Sequence, residues 1–159
     1  MSFPPQTLTR DAIAARIPHQ GRMCLLDRVL EWDEGTIRCR ASSHRDADNP
    51  LRAPSGLPAT SGIEYAAQAM ALHGALLASA TGAPRVGYLA SVRSVTLHVG
   101  RLDTVTDDLD IRAERVTGDD HSILYTFAVE AAGKPLVSGR AAVVLKADAR
   151  PNAMPGSRP

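Results

Sequence analysis

An α+β fold, with one curved antiparallel sheet wrapped around a single long helix, is predicted by three features of the sequence. Residues 62–80, GIEYAAQAMALHGALLASA, are small or apolar nearly all round, as a helix buried on most of its faces must be. Two strand-like stretches precede it. VGYLASVRSVTLHV, LDIRAERVTG, HSILYTFAVEAAG and PLVSGRAAVVLKA follow it, alternating apolar and polar residues and parted by Asp-Asp, Gly-Asp-Asp and Ala-Gly-Lys-Pro turns. Strands, one buried helix, then strands joined by short turns is the element order of a sheet folded around a helix.

Along the chain, MSFPPQ and ADARPNAMPGSRP are rich in Pro and small polar residues and bury too little apolar surface to order themselves. Residues 1–14 are therefore expected to be a tail or short helix, 15–147 the folded domain and 148–159 a disordered tail. Thr9 or Asp11 caps a short helix over 10–16, which Pro18 ends because its ring disfavours helical geometry at Ile17. MCLLDRVLEW is expected as a buried strand and TIRCRAS as a half-exposed one, paired in a hairpin across Asp33, Glu34 and Gly35. The whole arrangement is the hot-dog fold. Its sheet covers one side of the helix and leaves a free edge, from which a homodimer is expected.

Composition narrows the function classes. With 159 residues, 44% of them hydrophobic, the chain suits one domain. The net charge of +1 arises from 18 basic and 17 acidic residues without long runs, so neither nucleic acid nor an anionic membrane is expected as partner. Cys24 and Cys39 sit in apolar contexts without CxxC spacing and are expected as buried thiols. No signal-peptide pattern and no apolar run near the roughly 18 residues of a spanning helix is visible, which makes a cytoplasmic location the expectation.

Glu64 is the residue that needs explaining. An ionised, unpaired carboxylate in an apolar helix costs several kcal/mol, so it must be solvated, paired or functional. A first-turn position, with Ser61 as cap and the helix dipole favouring negative charge, accounts for it structurally. His44, after a strand and beside Arg45 and Asp46, reads on its own as a loop histidine. Together, a histidine and a carboxylate in an apolar cleft suit proton transfer next to a carbonyl, and backbone N–H groups around Leu57 to Thr60 could hold an enolate oxygen. His19 could line the same cleft. His73 is expected as a satisfied helix histidine, and His98 and His121 as surface residues. No histidine pair has HExxH-like spacing, so no metal is expected; GxSxG, GxxxxGK[ST] and GxGxxG motifs are missing as well.

Two stretches resemble the hot-dog 3-hydroxyacyl-acyl carrier protein dehydratases of fatty-acid synthesis. IPHQGRMCLLDRV is similar to their amino-terminal signature, with Pro18, His19, Asp27, Arg28 and Val29 in place. LPATSGIEYAAQAM is similar to the start of their central helix, with Pro58, Glu64 and Gln68 in place. The likeness spans roughly residues 15–146 and is nearest to a diverged branch associated with aryl-polyene pathways. It implies a catalytic pair of His44 and Glu64 drawn from opposite subunits. The family's His-Phe-Pro turn lies fourteen residues before the acid; here His44 is twenty before it, which implies an inserted loop, DADNPLRAPSG. Ala59 stands where the family has its oxyanion-hole glycine.

The resemblance therefore implies dehydration of a 3-hydroxyacyl thioester on acyl carrier protein to the trans-2-enoyl product, without metal or organic cofactor. His44 would remove the C2 proton, Glu64 would protonate the hydroxyl, and the Ala59 amide would polarise the carbonyl. Ala59, Gln68, His19, Met23, Ile63 and Tyr88 are the expected substrate contacts, with Leu25 and Met70 as further tunnel lining. Two other readings share the fold: a thioesterase whose helix acid orients water, and a non-catalytic acyl-binding or heterodimer partner subunit.

Overall fold

The computed structural model describes residues 6–81 and 85–147; of the expected terminal segments, residues 1–5 and 148–159 lie outside them. A two-residue strand β1 (Leu8–Thr9) leads into helix α1 (Arg10–Ala14), where the Thr9 hydroxyl accepts from the Ala12 amide as the expected cap. Strands β2 (Arg28–Trp32) and β3 (Thr36–Ala41) form the expected hairpin. Asp33 closes its turn, one carboxylate oxygen accepting from the Gly35 and Thr36 amides. The long helix α2 (Gly62–Thr81) follows, then β4 (Arg85–Leu97), β5 (Leu109–Gly118), β6 (Ser122–Ala131) and β7 (Lys134–Ala147).

All seven strands make one antiparallel sheet in the order β1-β2-β3-β5-β6-β7-β4. Inward positions of β3, β5 and β6, among them Ile37, Cys39, Ile111, Ala113 and Val129, are buried in one core with Tyr65, Ala69, Leu72 and Leu76 of α2. Strand alternation delivers every second side chain to that face. Both cysteines are buried and free; burial pushes the Cys39 thiol up to about 12. The helix approaches the sheet closely at its start, where a Cβ on Gly62 would lie 2.8 Å from a Val137 methyl.

Two departures from expectation matter for the site. Residues 23–27 are not part of β2: Gly21–Met23 form a 3₁₀ turn, with Gly21 at φ 59°, and Cys24, Leu25 and Leu26 are buried without ladder partners. Their apolar run signals burial, and the Leu25 amide is taken by a helix side chain instead of a strand. Second, β4 is an edge strand, so residues 98–108 must cross to reach β5 in mid-sheet. They pass against the start of α2, bonded there through Ala59 N–H to Gly100 and Leu102 N–H to Leu57.

Candidate active site

Glu64 projects from the first turn of α2 and meets His19, whose Nε2 lies 3.2 Å from one carboxylate oxygen. Both are partly open, at 34% and 26% side-chain exposure respectively. His19 arrives there because Pro18 stops α1 and the next residues are tied back, Gln20 donating to the Ala14 and Ile17 carbonyls. Gln68, one turn on from Glu64 and fully buried, completes the group. Its carbonyl oxygen accepts from Leu25 N–H at 2.9 Å, and its amide nitrogen donates to the Met23 carbonyl at 2.7 Å and to the same Glu64 oxygen at 3.3 Å. The glutamine therefore fastens the 19–25 segment to the helix and fixes one side of the carboxylate. The other carboxylate oxygen makes no hydrogen bond among the described residues.

His44 lies in a 3₁₀ turn after β3 and is 0% exposed. Its Nε2 donates to the Val105 carbonyl at 3.0 Å, which leaves Nδ1 as a bare acceptor, buried and without a partner among the described residues. Burial holds its pKa below the ordinary histidine value. Beside it the Ser43 hydroxyl bridges the Leu25 carbonyl and the Tyr65 hydroxyl, and Asn49 donates to both Ser43 O and Tyr65. Among the described residues no hydrogen bond joins His44 to Glu64. The inserted loop is folded back rather than extended: Asp103 accepts from the Leu57 amide and from Arg101, whose guanidinium holds the carboxyl well below the usual carboxylate range. Gly56, at φ 111°, is required there, since a Cβ would meet that guanidinium at 2.6 Å.

The other expected contacts are placed as follows. The Ala59 amide donates to Gly100 O at 3.0 Å, so it is not a free oxyanion donor; Thr60, the next residue of that turn, is exposed. The Gln68 amide is spent on the chain itself. Tyr88 is 53% exposed, with the Lys146 ammonium 5.4 Å from its ring, and its neighbour Gly87 faces the interior, so Tyr88 stands on the outer face of the sheet. Leu25 is core, Met23 and Ile63 flank the Glu64 group half-buried, and Met70 lines a cavity further along the helix. His73 is satisfied as expected: Nε2 donates to Asp33 O and Nδ1 accepts from the Tyr125 hydroxyl, each at 2.8 Å. His98 and His121 are exposed. The pairing of His19 with Glu64 was not read from the sequence, although both residues sit in the two quoted stretches; no spacing rule links positions so far apart. Among the described residues no group of three potential ligands could hold a metal.

A sheet wrapped around one long helix is the hot-dog fold, and on it the His19 imidazole meets the Glu64 carboxylate at the start of α2. The family comparison makes this specific: residues 11–153 match the ApeP-like family, described as ApeP dehydratase, and the chain belongs to that family. Among solved structures, the dehydratase heterocomplex ApeI:P from Xenorhabdus doucetiae matches with a TM-score of 0.75 at 24% identity, covering 87% of this chain and 91% of that one. A thioesterase from Haemophilus influenzae matches at 0.64 and 11% identity over 91% and 95% of the two chains. A mutant thioesterase from Pseudomonas aeruginosa matches at 0.57 and 14% over 74% and 79%. No curated protein matches the sequence.

Proposed function

We propose that the protein dehydrates a 3-hydroxyacyl thioester, presented on acyl carrier protein, to the trans-2-enoyl thioester. The observation that carries this reading is the partly exposed His19–Glu64 contact at 3.2 Å. His19 takes a proton from C2 and the Glu64 carboxyl gives one to the C3 hydroxyl, which leaves as water. The pair then stands as imidazolium and carboxylate, and one proton hop across the contact restores it without solvent. The thioester oxygen gains charge as C2 loses its proton, and the backbone amide of Thr60, an exposed residue in the turn before α2, is suited to receive it. In this reading His19 replaces His44 as the base. Nδ1 of both histidines is buried without a partner among the described residues; the two differ at Nε2, which in His19 lies against the Glu64 carboxylate and in His44 donates to Val105 O, securing the 98–108 crossover to the turn after β3.

Thioesterases share the fold, and a helix carboxylate could also orient water against the thioester. Incubation with 3-hydroxyacyl carrier protein separates the two by mass: loss of one water from the intact thioester supports dehydration, release of free carrier thiol supports hydrolysis. A third reading, a partner subunit without turnover, draws on the heterocomplex neighbour and on the long, unpaired β4 edge, where Leu89 and Leu97 are exposed. It predicts neither product from this chain alone and dehydration only with a second hot-dog chain added.

A further inference from the structure

At the far end of α2 from Glu64 lies a cavity of about 480 Å³ between the helix and the sheet, within the size range of small-molecule sites. Its body is apolar, with Met70, Gly74 and Leu77 on the helix side and Ile123 and Val143 on the sheet side. Among the described residues, one cation, Arg115, stands in its wall. Arg115 follows the buried Ile111 and Ala113 on the inward face of β5 and is paired in register with Tyr125 of β6, which also lines the cavity. Its guanidinium lies under Gly118, where an added Cβ would meet it at 2.9 Å. Among the described residues that guanidinium has no ion-pair or hydrogen-bond partner, which leaves its donors available to a group inside the cavity.

Asp119, at the rim, does not pair with that guanidinium. Asp119 gives a carboxylate oxygen to the His121 and Ser122 amides at 2.7 and 2.9 Å, closing the β5–β6 turn, and Asp120 is its neighbour in that turn. Gly74 supplies an independent sign. Glycine inside a helix costs about 0.5 to 1 kcal/mol relative to alanine, yet a Cβ at Gly74 would find nothing within 4 Å. Packing does not require the glycine, and a side chain added there would project into the open volume.

We infer that this cavity is a binding chamber, separate from the Glu64 group, for an apolar chain ending in a carboxylate, which Arg115 engages with its planar fork. The chain end comes either from the distal end of the acyl substrate, in which case the inference rests on the dehydratase reading, or from a free carboxylic acid. Met70 lies six residues beyond Glu64 on α2, about 9 Å along a helix, so an acyl chain of ordinary length spans the interval.

Calorimetric titration with octanoate and with octan-1-ol tests the chamber without any assay of turnover. Octanoate should bind at least about tenfold tighter than octan-1-ol. Arg115→Gln should remove that preference while leaving octan-1-ol binding unchanged, and Gly74→Leu, whose side chain grows into open space, should abolish binding of both. Wild-type protein that binds neither probe, an Arg115→Gln protein that keeps the preference, or a folded Gly74→Leu protein that binds octanoate normally would each overturn the chamber. Its source is read from dehydration kinetics. A substrate end predicts that Gly74→Leu raises KM for long 3-hydroxyacyl thioesters and not for 3-hydroxybutyryl, with octanoate competitive against the long ones. A free ligand predicts equal effects at both lengths and no competition. If wild-type protein dehydrates nothing but binds octanoate as described, the function fails and the chamber stands.

Discussion

Glu64 and His19 carry the proposed chemistry, and each is testable by an isosteric change. Glu64→Gln keeps the hydrogen bond to Gln68 in reach but cannot exchange a proton, and His19→Gln keeps a polar side chain without a titratable nitrogen. General acid–base groups contribute about 10² to 10⁴-fold. Each substitution should therefore lower kcat for dehydration at least a hundredfold with the thermal midpoint little changed, and the double variant should be no worse than the weaker single because the two act in one step. His44→Gln is expected to lower stability and leave turnover near normal. Gln68 differs from both: its buried amide holds Leu25, Met23 and Glu64, so Gln68→Leu leaves the Leu25 amide and Met23 carbonyl unpaired at about 1 to 3 kcal/mol. Of these residues, His19, Glu64 and Gln68 were legible in the sequence as members of two stretches. Their mutual contact was not, since periodicity describes neighbours on one element and His19 reaches the helix from a loop.

Two buried histidines make stability depend on pH. Burial holds His44 and His73 below their ordinary value of 6.5. The unfolded chain then binds protons that the folded chain refuses in the window from about pH 6.5 down to the folded values, so stability is full above that window and falls as pH drops through it. A plot of thermal midpoint against pH should slope downward below about 6.5, and His73→Gln should flatten it; an unchanged slope would show that the histidine is not neutral in the folded protein.

At the scale of the element, α2 is the part of the fold that the sequence specified best. Small and apolar residues all round announced a buried helix, and its observed span, Gly62–Thr81, includes the whole predicted run. What pattern alone could not distinguish is why the glycines are there. Gly62 sits against Val137 at 2.8 Å from a hypothetical Cβ, whereas Gly74 faces empty space. Gly62→Ala should thus destabilise by about 1 to 3 kcal/mol through overpacking, and Gly74→Ala should stabilise by about 0.5 to 1 kcal/mol through helix propensity. Denaturant titration of the two variants should give shifts of opposite sign. The stretch 23–27 failed as a strand for a related reason: an apolar run reports burial, and only the ladder partner decides whether it is a strand.

For the whole molecule, the order β1-β2-β3-β5-β6-β7-β4 leaves the thirteen-residue β4 at an edge with Leu89, Val95 and Leu97 exposed. Long apolar edges invite pairing with another chain, and the expected assembly is a dimer formed there, with itself or with a related hot-dog chain. Sedimentation should give at least twice 16.9 kDa at micromolar concentration, and Leu89→Glu with Leu97→Glu should shift the protein to monomer. A wild-type monomer in isolation would leave the heteromeric form as the assembly to be sought. The sheet, its hairpins and the single helix were all readable from alternation and turn residues. The edge position of β4 was not, because strand order depends on the crossover at 98–108, which carries no periodic signal.

The central claim is that the His19–Glu64 pair performs dehydration, and intact-mass spectrometry of 3-hydroxyacyl carrier protein incubated with wild type, Glu64→Gln, His19→Gln and His44→Gln proteins tests it most directly. Wild type and His44→Gln should remove one water, and the other two little or none over the same time. Dehydration retained by His19→Gln but lost in His44→Gln would contradict it, returning the base to the buried histidine of the turn after β3.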